Sequence, residues 1–103
     1  MEIDISARHF QVTDGLKEHI RTRIVKFDKY ALKIESVHVI LEVQKFRHIA
    51  EIVLLGKRLR LTAKGESADM YAAFDKSYGT IQLQLGRRHE KIKTHKAHRP
   101  GKE

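Results

Sequence analysis

The chain has 103 residues, 41% of them hydrophobic and 33% charged, which suits one small domain and argues against wholesale disorder. Lys and Arg number 21 against 13 Asp and Glu, giving a net charge of +8 and an isoelectric point near 9.9, the balance of a protein that meets an acidic partner. The absence of cysteine excludes a disulfide scaffold and a thiolate zinc site, and the longest aliphatic run, Ile52 to Leu55, is far short of the ~20 residues that span a bilayer.

From Glu2 to Arg8 the chain alternates, with Ile3, Ile5 and Ala7 on one face and Asp4, Ser6 and Arg8 on the other, which predicts a half-buried strand. Thr13 offers an N-cap hydroxyl and Asp14 a first-turn carboxylate. Leu16, Ile20, Ile24 and Phe27 follow at helical spacing and predict a helix ending near Tyr30. From Ser36 the period returns to two, with Val37, Val39, Leu41 and Val43 opposed by His38, Glu42 and Gln44. A turn around Lys45 to Arg47 leads into a strand through Ala50, Ile52 and Leu54. A reversal at Gly56-Lys57 leads into a last strand, with Leu59, Leu61 and Ala63 inward and Arg58, Arg60, Thr62 and Lys64 outward. Ser67 is the expected cap of a second helix, with Asp69 in its first turn. Its buried stripe is Met70, Phe74, Ser77, Ile81 and Leu85, extended to Ile92. Gly79 and Gly86 each cost a helix about 1 kcal/mol relative to Ala, so a bend or fraying is expected between them.

The order is therefore β-α-β-β-β-α. The first two strands, joined through a helix, should be parallel with a right-handed crossover, and the others are hairpin-linked. Both helices must bury their stripes on one sheet face, because the other reads as polar (Asp4, Glu42, Glu51, Arg60). The expected fold class is α+β: a two-layer sandwich of a four-stranded sheet with two helices on one face. Residues 1–95 form one domain and 96–103, with Pro100-Gly101, a basic disordered tail. Met1-Glu2-Ile3-Asp4 lacks the pattern of a secretory signal, so a cytoplasmic location is expected.

The charge is uneven. Between Arg87 and Glu103 seven basic residues face two acidic ones, so +5 of the net +8 lies there. At about 100° per residue, Arg23 and Lys26 share one flank of the first helix with His19, and Lys17 and Arg21 take the other. The outward row of the second helix is Lys76, Thr80, Leu83, Arg87 and Lys91. Two helices on one sheet face can thus offer a ridged cationic surface to phosphates, through electrostatic, shape-driven contacts.

Three segments carry a likeness: Asp69-Met70-Tyr71-Ala72-Ala73-Phe74-Asp75, Ala7-Arg8-His9-Phe10-Gln11-Val12-Thr13, and His48-Ile49-Ala50-Glu51-Ile52. In this order and register the chain, from Met1 to about His95, resembles the ribosome hibernation promoting factor family, which includes the ribosome-associated translation inhibitors. The resemblance implies a fold similar to double-stranded RNA-binding domains. It also implies a cytoplasmic, non-enzymatic protein that binds the small ribosomal subunit through rRNA, where mRNA and tRNA would lie. Such proteins silence translation in stationary phase or stress. Short forms, which this chain resembles, lack an extra C-terminal domain, and some act with ribosome modulation factor on ribosome dimers. Family members usually carry Lys at the position of Thr80 and Arg at that of Leu83, so the resemblance implies that two charges are missing here. Lys17, Arg23, Lys26, Lys45, Arg87 and Lys91 keep a basic side chain where members have one. Leu83, about 160° from the buried stripe, should be exposed. The expected contact residues are Arg23, Lys26, Lys45, Arg87, Arg88 and Lys91, with Lys17, Arg21 and Lys76 behind them. Arg87, Arg88 and the basic tail are expected to replace part of the missing contact.

Other chemistry is weakly supported. His89, His95 and His98 are spaced six and three apart, which matches no familiar zinc arrangement, and no cofactor is expected. Asp69 and Asp75, about 240° apart around a helix, cannot share an acid–base site. His9 and His48 read as structural residues at strand ends, and Tyr71 and Tyr78 as packing residues. The rival readings are a general double-stranded RNA binder and an RNA-processing nuclease using His9 or His48. The protein is expected to be monomeric off the ribosome, with no membrane or small-molecule partner.

Overall fold

The computed structural model describes residues 1–30 and 32–97, with side chains as far as His89. Strand β1, Glu2–Arg8, turns Ile3, Ile5 and Ala7 inward as the alternation requires. Helix α1, Asp14–Ile24, is capped by Thr13, whose Oγ1 accepts the Leu16 N–H at 3.2 Å. The helical stretch reaches Tyr30 as expected, but Val25–Tyr30 tightens into 3₁₀ turns, a common way to end an α-helix. Leu16, Ile20, Ile24 and Phe27 are all buried.

The remaining strands are β2, Ile34–Gln44, β3, Arg47–Gly56, and β4, Leu59–Ser67. Sheet order follows chain order: β1 is parallel to β2, from Glu2 opposite Ser36 to Arg8 opposite Glu42, and the other pairs are antiparallel. Both hairpin loops have two residues, one place from where the sequence suggests. Gln44 pairs with Arg47 around Lys45-Phe46, and Gly56 pairs with Leu59 around Lys57-Arg58. Gly56 stays in the ladder because it passes close to Lys33, whose carbonyl oxygen would lie 2.1 Å from a Cβ.

Helix α2, Met70–Ala97, is capped by Asp69 and not by Ser67. Asp69 Oδ1 accepts the Ala72 N–H at 3.0 Å, while Ser67 is the last residue of β4, paired with His48. The helix runs unbroken through Gly79 and Gly86, against the expected bend. Its buried residues Ser77, Ile81 and Leu85 hold both glycines in register, and tertiary packing outweighs the propensity cost. At Gly65 α2 comes so close to β4 that a Cβ would lie 2.3 Å from the Ala73 carbonyl oxygen. On the helix side the contact is made by the small buried residues Ala73 and Ser77.

One core lies between sheet and helices, built from Leu16, Ile20, Phe27, Val39, Ile52 and Phe74 among others. The helices run parallel. Gly15 lies by the Tyr71 hydroxyl, His19 by Asp75, Phe27 by Tyr78 and Tyr30 by His89, so both helices start at the Lys45-Phe46 end of the sheet. The open face is less polar than expected. Ile40, Ile49, Val53 and Leu55 sit at its centre, alternating with Glu42, Glu51 and His38. On central strands such side chains are covered by their long charged neighbours, which leaves them half-buried or buried without a helix above them.

Candidate nucleic-acid interface

The helix layer carries most of the expected contact residues. Lys17, Arg21, Lys26, Lys76, Arg87 and Arg88 are exposed, and Arg23 is partly so. None of Lys17, Arg21, Lys26, Lys45, Arg87 and Arg88 forms an ion pair among the described residues. Exposed cations without acidic partners each add positive potential, to which a polyanion can bind with release of counterions. The open sheet face is mixed, since Arg8, Arg60 and Lys64 are exposed there without an ion pair among the described residues, while other charges are matched. Arg47 is clamped to Glu66, and His38 Nδ1 lies 3.5 Å from Asp4 Oδ2.

Two of the expected residues are partly engaged by the fold. Arg23 lies in the seam between the helices, with Nε 3.9 Å from Asp75 Oδ1. Asp75 also meets His19 Nε2 at 2.8 Å, so this one carboxylate ties α1 to α2. The His19 ring is edge-on to Tyr71, with centroids 4.9 Å apart. Lys76 leans toward β4, its Nζ donating to the Glu66 carbonyl at 2.9 Å. Of the expected flank of His19, Arg23 and Lys26, the first two share Asp75, in keeping with their four-residue spacing.

The cations do not gather in one patch. Lys17 and Lys45 lie at the end where both helices begin. Arg21, Arg23 and Lys76 lie along the middle, and Lys26, Arg87 and Arg88 toward the end where Tyr30 meets His89. On α2 Thr80 and Leu83 interrupt the row. Thr80 is exposed and its hydroxyl donates back to the Lys76 carbonyl at 3.2 Å. Leu83 is 63% exposed, as expected. With Tyr30, Gln82, Gly86 and Arg87 it lines an open groove of about 440 Å³. The side chains of Lys91, Ile92 and His95 lie outside the described residues, as do residues 98–103, His98 among them.

The residues weighed for other chemistry have structural surroundings. His89 Nδ1 donates to the Tyr30 carbonyl at 2.8 Å, filling one of the acceptors left open where the first helical stretch ends. His48 is edge-on to Phe10, and its Nδ1 is buried without a partner. His9 is exposed at φ 57, where the chain leaves β1. Tyr78 stacks on Phe27 with centroids 4.9 Å apart. Burial raises its phenol pKa above the ordinary value, Tyr30 adds to the rise, and Arg23 opposes it. Phe46, beside Lys45 at the hairpin tip, was not a candidate from spacing, yet it is 90% exposed. The available signal was an aromatic residue between two cations where a hairpin loop calls for Gly, Asn or Asp.

Comparison with known proteins agrees with this architecture. The chain is 33% identical over 95 residues to the ribosome hibernation promoting factor of Salmonella typhimurium, covering 92% of this chain and all of that one. It is 32% identical over 101 residues to the protein of that name from Azotobacter vinelandii, covering 97% of this chain and 94% of that one. Among solved structures, a ribosomal subunit interface protein from Coxiella burnetii superposes with a TM-score of 0.76 at 19% identity, covering 85% of this chain and 97% of that one. The N-terminal domain of Protein Y from Thermus thermophilus does so with a TM-score of 0.76 at 25% identity, covering 84% and 98%. The family model described as sigma 54 modulation protein / S30EA ribosomal protein matches residues 3–93, and with these relatives it shows that the chain belongs to that family.

Proposed function

We propose that this protein is a ribosome hibernation factor. It binds the small ribosomal subunit through rRNA, occupies the channel of mRNA and tRNA, and inhibits translation in stationary phase or stress. The observation that carries this reading is the set of exposed cations along the helix layer, Lys17, Arg21, Lys26, Arg87 and Arg88, none of which forms an ion pair among the described residues. The domain closes on its own core, so it can act as a preformed plug, and inhibition by occlusion needs no catalytic group. The contact residues are Lys17, Arg21, Arg23, Lys26, Lys45, Lys76, Arg87, Arg88 and Lys91. Arg87, Arg88 and the basic tail supply contact in place of the charges absent at Thr80 and Leu83. The protein acts in the cytoplasm as a monomer off the ribosome, and ribosome modulation factor is its partner where ribosomes pair.

Sedimentation with purified small subunits, in the presence of competing duplex RNA, tests the reading. Co-migration that survives the competitor is the expected result, and loss to the duplex would favour a general double-stranded RNA binder. With about six phosphate contacts, log affinity should fall against log salt with a slope of roughly −4 to −5, and the double variant R87A/R88A should flatten it by about 2. A slope near zero would refute the electrostatic interface.

A further inference from the structure

Phe46 and Lys45 form the two-residue loop between β2 and β3, and neither suits the fold. Phe46 is 90% exposed, more than Leu83 at 63% or Val25 at 50%. Lys45 holds φ 56, the left-handed backbone that Gly or Asn adopts with far less strain. A hairpin loop has no need of an aromatic side chain, and a Phe projecting into water forfeits its hydrophobic contribution. Arg58 holds the same φ in the other hairpin loop, so it is the fully projecting aromatic ring that sets this tip apart.

We propose that this hairpin tip is a base-stacking contact, in which Phe46 lies against an unpaired nucleobase of the bound RNA and Lys45 meets an adjoining phosphate. This rests on the RNA-binding reading above and adds to it a contact that charge alone does not supply. The neighbours choose the ligand. Gln44, Lys45 and Arg47 surround Phe46 with polar and cationic groups, whereas an anchor for a protein pocket or a lipid surface would lie within an apolar patch. Lys45 has no ion pair among the described residues, so its ammonium is available to a phosphate. Arg47 forks onto Glu66, with Nη2 donating to Oε1 at 3.2 Å, and this clamp stiffens the stem that carries the tip. An aromatic face beside a cation is the combination by which proteins hold unstacked bases, and it tolerates sequence because every base has a π-face. The tip lies at the opposite end of the domain from Arg87 and Arg88, so it fixes a second, distant point on the RNA.

The chain contains no tryptophan, so F46W places a single indole at the tip. Titrated with small ribosomal subunits, its fluorescence should be quenched by stacking on a base. F46A and F46L should each bind roughly 5- to 150-fold more weakly at every salt concentration, with the salt slope of the parent, and F46Y should restore binding. K45A should instead flatten the slope by about 1. Coincident thermal unfolding curves for the variants would confirm that the fold is intact. Unchanged affinity of F46A, unquenched F46W, or a blue shift reporting a protein pocket would each overturn the proposal. If the parent fails to bind subunits at all, the hibernation reading falls, and titration of F46W with isolated small-subunit rRNA then decides the tip by itself: quenching upholds the contact and its absence rejects it.

Discussion

Replacing Gly65 by Ala asks whether α2 lies on β4 as closely as described. The added Cβ would stand 2.3 Å from the Ala73 carbonyl oxygen and 2.9 Å from both Lys76 Cβ and Ser77 N. Two of these three are backbone atoms, so no side-chain rotation relieves the clash, and α2 must lift by roughly 1 Å, a typical overpacking response. A gap of that size forfeits a quarter to a half of the dispersion attraction of each contact it opens, among them those of the buried Phe74, Ser77 and Ile81. The expected cost is about 1–3 kcal/mol, which for a domain of this size lowers Tm by roughly 5–20 °C. Gly79 and Gly86 supply the internal control, since a Cβ at either meets nothing within 4 Å. There Ala should stabilise the helix by about 0.5–1 kcal/mol each. Urea unfolding followed by far-ultraviolet circular dichroism gives all three differences in one experiment. G65A within 0.5 kcal/mol of the parent, or G79A and G86A moving in the same direction as G65A, would refute this packing.

Removal of the α2 cap by D69A should cost about 0.5–2 kcal/mol, while S67A should change little, because only Asp69 accepts from the first turn; equal losses in the same unfolding assay would contradict that assignment. Tyr78 ionises above the ordinary phenol value because burial disfavours its phenolate. The native state therefore holds this proton more tightly than the unfolded chain, so the stabilisation is complete below about pH 10 and declines as pH rises through the higher native value. Y78F should lose that part of the alkaline decline. Matching pH profiles of the two proteins between neutral and strongly alkaline conditions would count against it.

Periodicity made most of the fold readable. The alternation of Ile3, Ile5 and Ala7 and the stripe from Met70 to Leu85 each report a face that must be buried, and burial is what the structure shows. What failed was local competition between neighbouring candidates. Ser67 and Asp69 are both good caps, and the choice fell to Asp69 because β4 pairing with His48 uses the backbone as far as Ser67. The glycines of α2 misled in the same way, since helix propensity is a weak quantity beside the packing of Ile81 and Leu85. The apolar residues on the open sheet face were hidden by their charged neighbours in an alternating count. For the site, charge type and helical phase placed the exposed cations. Which of them would be drawn into the seam by Asp75, or toward β4 by Glu66, depends on contacts across 56 and 10 residues of chain, which no local pattern encodes.

The length of α2 has a mechanical consequence. Its last residue with a described contact to another element is His89, on Tyr30, yet the helix continues to Ala97, about 12 Å further along its axis. The anchored half supplies the nucleus, and extending the helix from it escapes the entropic penalty of starting one. Up to His89 the helix is still tied to the fold, by the hydrogen bond from the His89 ring to the Tyr30 carbonyl. The turns after His89 inherit their helical conformation from that anchored part, so His89 acts as the clasp from which the final, lysine-rich turns of the helix are extended.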